Sequence, residues 1–409
     1  MRVSVLSAPW TLAGPEDCVA DGGVLVEGGR IRRLLRSRAA VRRAARAAGV
    51  VAAELDGSLT PGLIDAHAHL ELSHLAGRVS PAGGFRAWID GLLRARGAPR
   101  ARVQGGAQSA ADALLASGTT AVGDVDSSGA GEGVLARHAL RARVYREVLD
   151  AADPARTAAA CARVARRLPR RALRLEGLSA HAPFTVSPAL FARIADLARR
   201  RDVPVAIHWS ETEAELDWLQ HGAGELAGLV ASWPARSGLD LIEAAGLLGP
   251  STSLVHGNHP QRGEIARLAR AGATLVHCPG SHRFFDRAPF PIGRYLSAGV
   301  PLALGTDSLA SNETLDMRRE MALLRAEHPS LDPARVWAMA TEGGARAIGL
   351  AERVGRLAPG RLADLALFRT TARGRAALLD ELTASSPAVG GVWVAGRRIG
   401  TGRLRRRVP

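Results

Sequence analysis

The chain contains no lysine: all 54 of its basic residues are arginine. That absence excludes a P-loop lysine on nucleotide phosphates, a Schiff-base lysine, and a carbamylated lysine bridging two metal ions. Aromatic residues are also scarce, at 4%. They are too few to interleave with the arginines as base-stacking platforms. The net charge of +15 therefore reads as arginine spread over many surface helices, and no specific nucleic-acid partner is expected. The densest basic runs are Arg30 to Arg46 and Arg403 to Arg407. Cysteine is limited to Cys18, Cys161 and Cys278, scattered and odd in number. This is no disulfide framework and suits a reducing cytosol. No apolar run approaches the ~20 residues of a membrane helix. Met1 to Leu12 is short and carries Pro9, unlike a signal core. A cytoplasmic protein without a membrane partner is the expectation.

What is present is a chain of 409 residues with 47% hydrophobic and 23% charged residues. That is enough for one α/β barrel of roughly 250–300 residues plus an appendage. Val3 to Leu6 and Val24 to Ile31 are β-prone, the second containing a Gly-Gly turn at Gly28-Gly29, whereas Arg32 to Ala48 is arginine- and alanine-rich and helix-prone. From residue 60 onward, β-prone runs alternate with helical stretches. The runs end at or near His67, Val125, Leu149, Ser179, His208, His256, His277 and Asp307. Helices are expected over Val103–Ser117, Pro188–Arg201, Gln261–Ala271, Asn312–Glu327 and Asp332–Ile348. Eight β/α units in series predict a (β/α)8 TIM barrel. Short strands recur in Gly360–Phe368 and Val392–Ile399. Both chain ends then build one small β-sandwich-like domain, giving the division 1–59, 60–352 and 353–409.

The chemistry-bearing residues sit at strand ends. His67/His69, His181, His208, His256, His277 and Asp307 end, or closely follow, six of the eight runs. The C-terminal face of a barrel is where sites are built. On an extended strand, residues two apart share a side, so His67 and His69 aim two imidazoles at one point. A lone His-x-His pair is often chance, and His208 or Asp307 taken singly reads as a core histidine or a turn aspartate. Together, His67, His69, His208 and Asp307 form a candidate first shell for one divalent ion. Zinc is favoured, with ferrous iron and manganese left open. Glu211 stands three residues after His208, within reach of a water on the same ion. His256 is the candidate to polarise the electrophile or orient that water.

Four segments carry a resemblance to a known family: Pro61–Glu71, Ile207–Glu211, Leu254–His259 and Gly305–Asn312. In order and spacing they resemble the amidohydrolase superfamily, in its cytosine-deaminase-like and chlorohydrolase-like branch. The resemblance implies one divalent metal on the four ligands named above and hydrolytic deamination of an aromatic amino-heterocycle. It further implies that Glu211 shuttles a proton to a ring nitrogen, His256 assists, and Asp307 accepts a proton from the attacking water. His181 and Ser311 match positions that contact adenosine-like substrates.

A finer resemblance, to the aminodeoxyfutalosine deaminase group of the alternative menaquinone route, rests on His69–Ser73, Gly83–Trp88 and Cys278–Phe285. It implies a substrate carrying an adenine and a benzoate. Arg283 or Arg86 would then bind the carboxylate, Glu71 would meet ring or ribose donors, and Trp88 would line the site. Gly280 and His282 stand where many relatives carry arginine and asparagine, on the loop expected to select substrate. The expected partner is a small molecule, with a homodimer as a candidate assembly. Rival readings are a related chlorohydrolase or amidohydrolase (triazine hydrolase, guanine deaminase or imidazolonepropionase-like) and, more remotely, a basic nucleic-acid-binding protein.

Overall fold

The computed structural model describes residues 3–151, 153–169, 171–228, 230 and 237–400. The tail run Arg403 to Arg407 lies outside them. Eight parallel strands form the central sheet: β1 (Leu63–Ala68), β2 (Thr119–Asp126), β3 (Arg141–Val148), β4 (Arg174–Ala180), β5 (Val205–Trp209), β6 (Thr252–His256), β7 (Thr274–His277) and β8 (Leu302–Leu304). They pair in sequence order from β1 to β8. Nearly all of their residues are buried, as expected of strands covered on one face by helices and filling a core on the other.

The ring closes between β8 and β1 by a single bridge, Ala68 to Asp307. There the amides of Thr306 and Asp307 both donate to the His67 carbonyl at 3.0 Å, and the His69 amide donates to the Asp307 carbonyl at 2.9 Å. Gly305 makes this approach feasible, because a Cβ at that position would lie 2.8 Å from the His67 carbonyl oxygen. The buried Asp65 side chain locks the seam, accepting from the Thr306 hydroxyl (2.5 Å) and amide (3.1 Å). The barrel is thus tied shut at the two strand ends that carry His67, His69 and Asp307.

The helices between strands begin and end on local signals. Pro188–Arg201 has Ser187 as N-cap, accepting from the Leu190 amide, then proline in its first turn, and Asp202 in a left-handed C-cap. Arg100–Ala116 stops before Gly118, whose φ is 92°. The second sheet is mixed and takes strands from both chain ends. Its order is Arg397–Ile399, Val389–Val394, Leu365–Phe368, Ser58–Pro61, Val3–Gly14, Asp17–Glu27 and Arg30–Leu35. Ser58–Pro61 passes through Gly62 directly into β1. A buried ion pair joins the two sheets: Arg141 of β3 grips Asp364 with bonds of 2.6 and 3.0 Å.

One expectation is corrected here. Arg32 to Leu35 is not helical but belongs to an edge strand, where Ile31 and Leu35 point inward and the arginines outward. The helix starts only at Arg38, after the Ser37 cap. The arginines of this run face solvent, and several pair with acids of the neighbouring strand, including Arg36 with Asp17 at 2.7 Å and Arg32 with Glu27 at 2.7 Å. Among the described residues no helix is long and apolar enough to cross a membrane.

Candidate metal centre and active site

At the C-terminal ends of β1, β5, β6 and β8, four imidazoles and one carboxylate converge. The Nε2 atoms of His69 and His208 are 3.1 Å apart. Asp307 Oδ1 lies 3.7 Å from His67 Nε2 and 3.8 Å from His69 Nε2. The sets His67–His69–Asp307 and His67–His208–His256 each place their ligand atoms within 4.8 Å of one another. Asp307 and His256 reach these positions with φ of 61° and 76°, a region costly for non-glycine residues and found at functional sites.

The donor chemistry fits a divalent cation. Both ring nitrogens of His67 are buried without a hydrogen-bond partner, which a folded chain does not tolerate cheaply. Burial pushes His67 below the usual histidine range, against the opposing pull of Asp307, and pushes His69 further down. Burial thus works against a proton on either ring, and an unprotonated ring has a lone pair to give. His208 donates Nδ1–H to the His181 carbonyl at 2.8 Å, which turns its Nε2 lone pair toward His69; metal-bound histidines are commonly oriented this way. Burial alone would raise Asp307, but His67, His256 and His69 hold it well below the usual carboxylate range. Its Oδ2 accepts from the hydroxyls of Ser281 and Ser311, each at 2.7 Å.

A cavity of about 230 Å³ opens beside this cluster. His69, His208, Glu211, His256 and Asp307 line its floor, and Trp88 and His181 line its sides. His181 Nδ1 is 2.6 Å from the Thr185 hydroxyl oxygen. The indole of Trp88 donates to the Ala310 carbonyl at 2.9 Å. Glu211 Oε2 is 3.8 Å from His256 Nε2, and its Oε1 accepts from Arg287 at 3.0 Å. Burial raises the Glu211 carboxyl, with Arg287 opposing.

Four residues expected to contact substrate lie elsewhere. Glu71 is buried off the cavity wall, its carboxylate taken up by the Ser127 hydroxyl (2.5 Å), the Ser128 amide (2.7 Å) and Arg96 (3.4 Å). Arg283 points to solvent, and Arg86 pairs with Asp90 and the carbonyls of Glu225 and Ala227. Ser311 sits behind Asp307 rather than on the wall. Gly280 and His282 also lie off the wall: the Gly280 amide donates to Glu320 at 2.6 Å, and His282 donates Nε2–H to the Ala288 carbonyl at 2.7 Å. His277 is stacked on Phe290 at 3.8 Å, away from the cavity. The arginines that do reach the wall, Arg96 and Arg156, gave no signal in the sequence. Glu147 did: like the strand-end histidines, it stands near the end of a recognised strand.

Fold and site define a barrel enzyme with its candidate metal centre at the C-terminal strand ends. The chain belongs to the amidohydrolase family, whose family model matches residues 58–399. Over 313 residues, 71% of this chain and 73% of the relative, it is 35% identical to an aminodeoxyfutalosine deaminase of Deinococcus radiodurans. An adenosine deaminase of Xanthomonas campestris with bound zinc superposes with a TM-score of 0.81 at 27% identity, covering 98% of this chain and 95% of that one. The fold also matches the Helicobacter pylori aminofutalosine deaminase in complex with methylthio-coformycin, with a TM-score of 0.86 at 22% identity over 97% and 100% of the two chains. The chain is accordingly a hydrolase acting on carbon–nitrogen bonds.

Proposed function

We propose that this chain is a single-metal deaminase that removes the amine from an adenosine-like heterocycle, with His67, His69, His208 and Asp307 holding one zinc ion. The observation that carries the reading is the partnerless, buried His67 ring at the meeting point of the other three groups. Nitrogen and oxygen donors suit zinc, and the Xanthomonas enzyme was solved with that ion. Bound there, a divalent cation lowers the pKa of a water ligand toward about 7.

The chain's own residues supply the rest. Glu211, raised by burial, takes a proton from the attacking water and delivers it to the ring nitrogen beside the amine-bearing carbon. A carboxyl shifted toward neutrality suits such an exchange. His256, which burial keeps neutral, hydrogen-bonds the incoming oxygen. Asp307, anionic and fixed by Ser281 and Ser311, accepts the second proton. A carbon–oxygen bond forms, the first proton stays on the ring nitrogen, the second passes from Asp307 to the amine, and the carbon–nitrogen bond breaks to release ammonia. Trp88 and His181 contact the substrate.

Aminodeoxyfutalosine is the substrate we favour, on the Deinococcus relative. Its carboxylate would meet Arg96 or Arg156 on the cavity wall, in place of Arg283 or Arg86. The test is ammonia release by zinc-reconstituted protein from aminodeoxyfutalosine, adenosine, methylthioadenosine, guanine and a chlorotriazine. Turnover of the adenine compounds, fastest with aminodeoxyfutalosine, is expected. Chloride release from the triazine with no ammonia from any of the other compounds would overturn the deaminase reading.

A further inference from the structure

The cavity is not centred on the candidate metal cluster. Its wall draws on β3 and β4 and the loops after them, through Glu147, Leu149, His181 and Phe184, and none of its residues comes from β7. The part of a substrate beyond the reacting carbon therefore lies over β3 and β4. Among the described residues that line the cavity, the carboxylate on that side is Glu147. It is 4% exposed, and its Oε1 is buried with no hydrogen-bond partner.

Two duties that would explain Glu147 are already filled. It approaches His208 Nδ1 only to 3.8 Å, and that N–H is donated to the His181 carbonyl at 2.8 Å. Arg96 turns its Nη2 to Ser127 at 2.6 Å and Glu71 at 3.4 Å and makes no hydrogen bond to Glu147 Oε1. A carboxylate removed from water without a partner costs stability, and a fold retains such a group where a ligand completes it.

We propose that Glu147 is a specificity-determining residue that accepts hydrogen bonds from hydroxyl groups on the sugar-like portion of the substrate. The inference rests on the deaminase reading and deepens it. An adenine substituted at N9 presents only acceptors apart from the amine that leaves, so the donors that satisfy an acceptor-only carboxylate must come from outside the ring. A guanine ring, by contrast, carries N–H donors of its own.

The test compares zinc-loaded wild type, Glu147→Gln and Glu147→Ala on adenosine, 2′,3′-dideoxyadenosine and guanine. It reads ammonia release, metal content and melting temperature. Wild type is expected to favour adenosine over the dideoxy compound by about 10–100-fold in kcat/KM, the range of a hydrogen bond to a charged group. Glu147→Ala should erase most of that preference, chiefly through KM, and Glu147→Gln, which keeps an acceptor oxygen, should retain part of it. Metal content should be unchanged, and the melting temperature should hold or rise. Equal losses on adenosine and its dideoxy analogue would overturn the assignment, as would an undiminished preference or a fall in bound zinc. A loss confined to guanine would assign Glu147 to ring N–H groups and overturn the hydroxyl reading. No ammonia with wild type from any of the three, nor from aminodeoxyfutalosine, would overturn the adenosine-like reading, and this subsite with it.

Discussion

On the β1, β5 and β8 side of the cavity, the strand ends that carry the ligand side chains are tied from behind. His208 is tied to the His181 carbonyl, Asp307 to Ser281 and Ser311, and Asp65 latches the seam beneath them. The opposite side is built differently. Its cover is the helix Gly84–Ala95, which has no fully buried residue and presents Phe85, Trp88, Ile89, Leu92 and Leu93 to the cavity. Leu93 remains 52% exposed. Reacting groups need placement to within about 0.5 Å, which closing a barrel at Ala68–Asp307 supplies. A covering helix supplies apolar area and adaptable shape, which suits choice among substrates.

Substitutions on the two sides should therefore differ in kind. The largest effect is expected from His67→Ala. It should drop ammonia release by more than about 10³-fold through loss of the ion, while the chain still folds by circular dichroism, since that ring makes no hydrogen bond. Glu211→Gln should lower kcat by about 10²–10⁴-fold and keep the metal, so activity and metal content separate where His67→Ala couples them.

A smaller effect concerns stability behind the metal side. Burial pushes the Glu320 carboxyl up to about 8, from an ordinary 4.5. The folded chain therefore holds that proton across a window in which the unfolded chain has released it. Stability from this group is full below the ordinary carboxylate range and declines as pH rises through about 8. Denaturant unfolding at pH 6 and pH 9 should show the decline in wild type and a shallower one in Glu320→Gln. Glu215, also pushed up to about 8, keeps part of the slope. The smallest effect is expected from Arg283→Ala, which should leave kcat/KM unchanged and stability within about 0.5 kcal/mol.

The same contrast sorts what was legible in the sequence. The eight strands stood out because buried parallel strands are near-continuous apolar runs, and their order matched the observed ring. The run expected to end at or near Asp307 stops as a strand at Leu304, and the chain enters the left-handed region at Asp307. His67, His69, His208 and Asp307 could be grouped because strand ends of one barrel point to one face. Glu71 and Arg283 could not be placed in that way. The first turns on a 3-10 helix after β1, and the second on a short helix after β7, and neither direction follows from spacing. Arg96 and Arg156 come from the cover and from the helix after β3, where no periodicity marks which arginine faces inward.

The central claim is that four side chains from three strand ends hold one ion. Metal content per chain, measured on zinc-reconstituted wild type and His208→Ala by plasma emission spectroscopy, tests it most directly. The account predicts one zinc per wild-type chain and substantially less than one in the variant. Two ions per chain, or an undiminished single ion in His208→Ala, would contradict it.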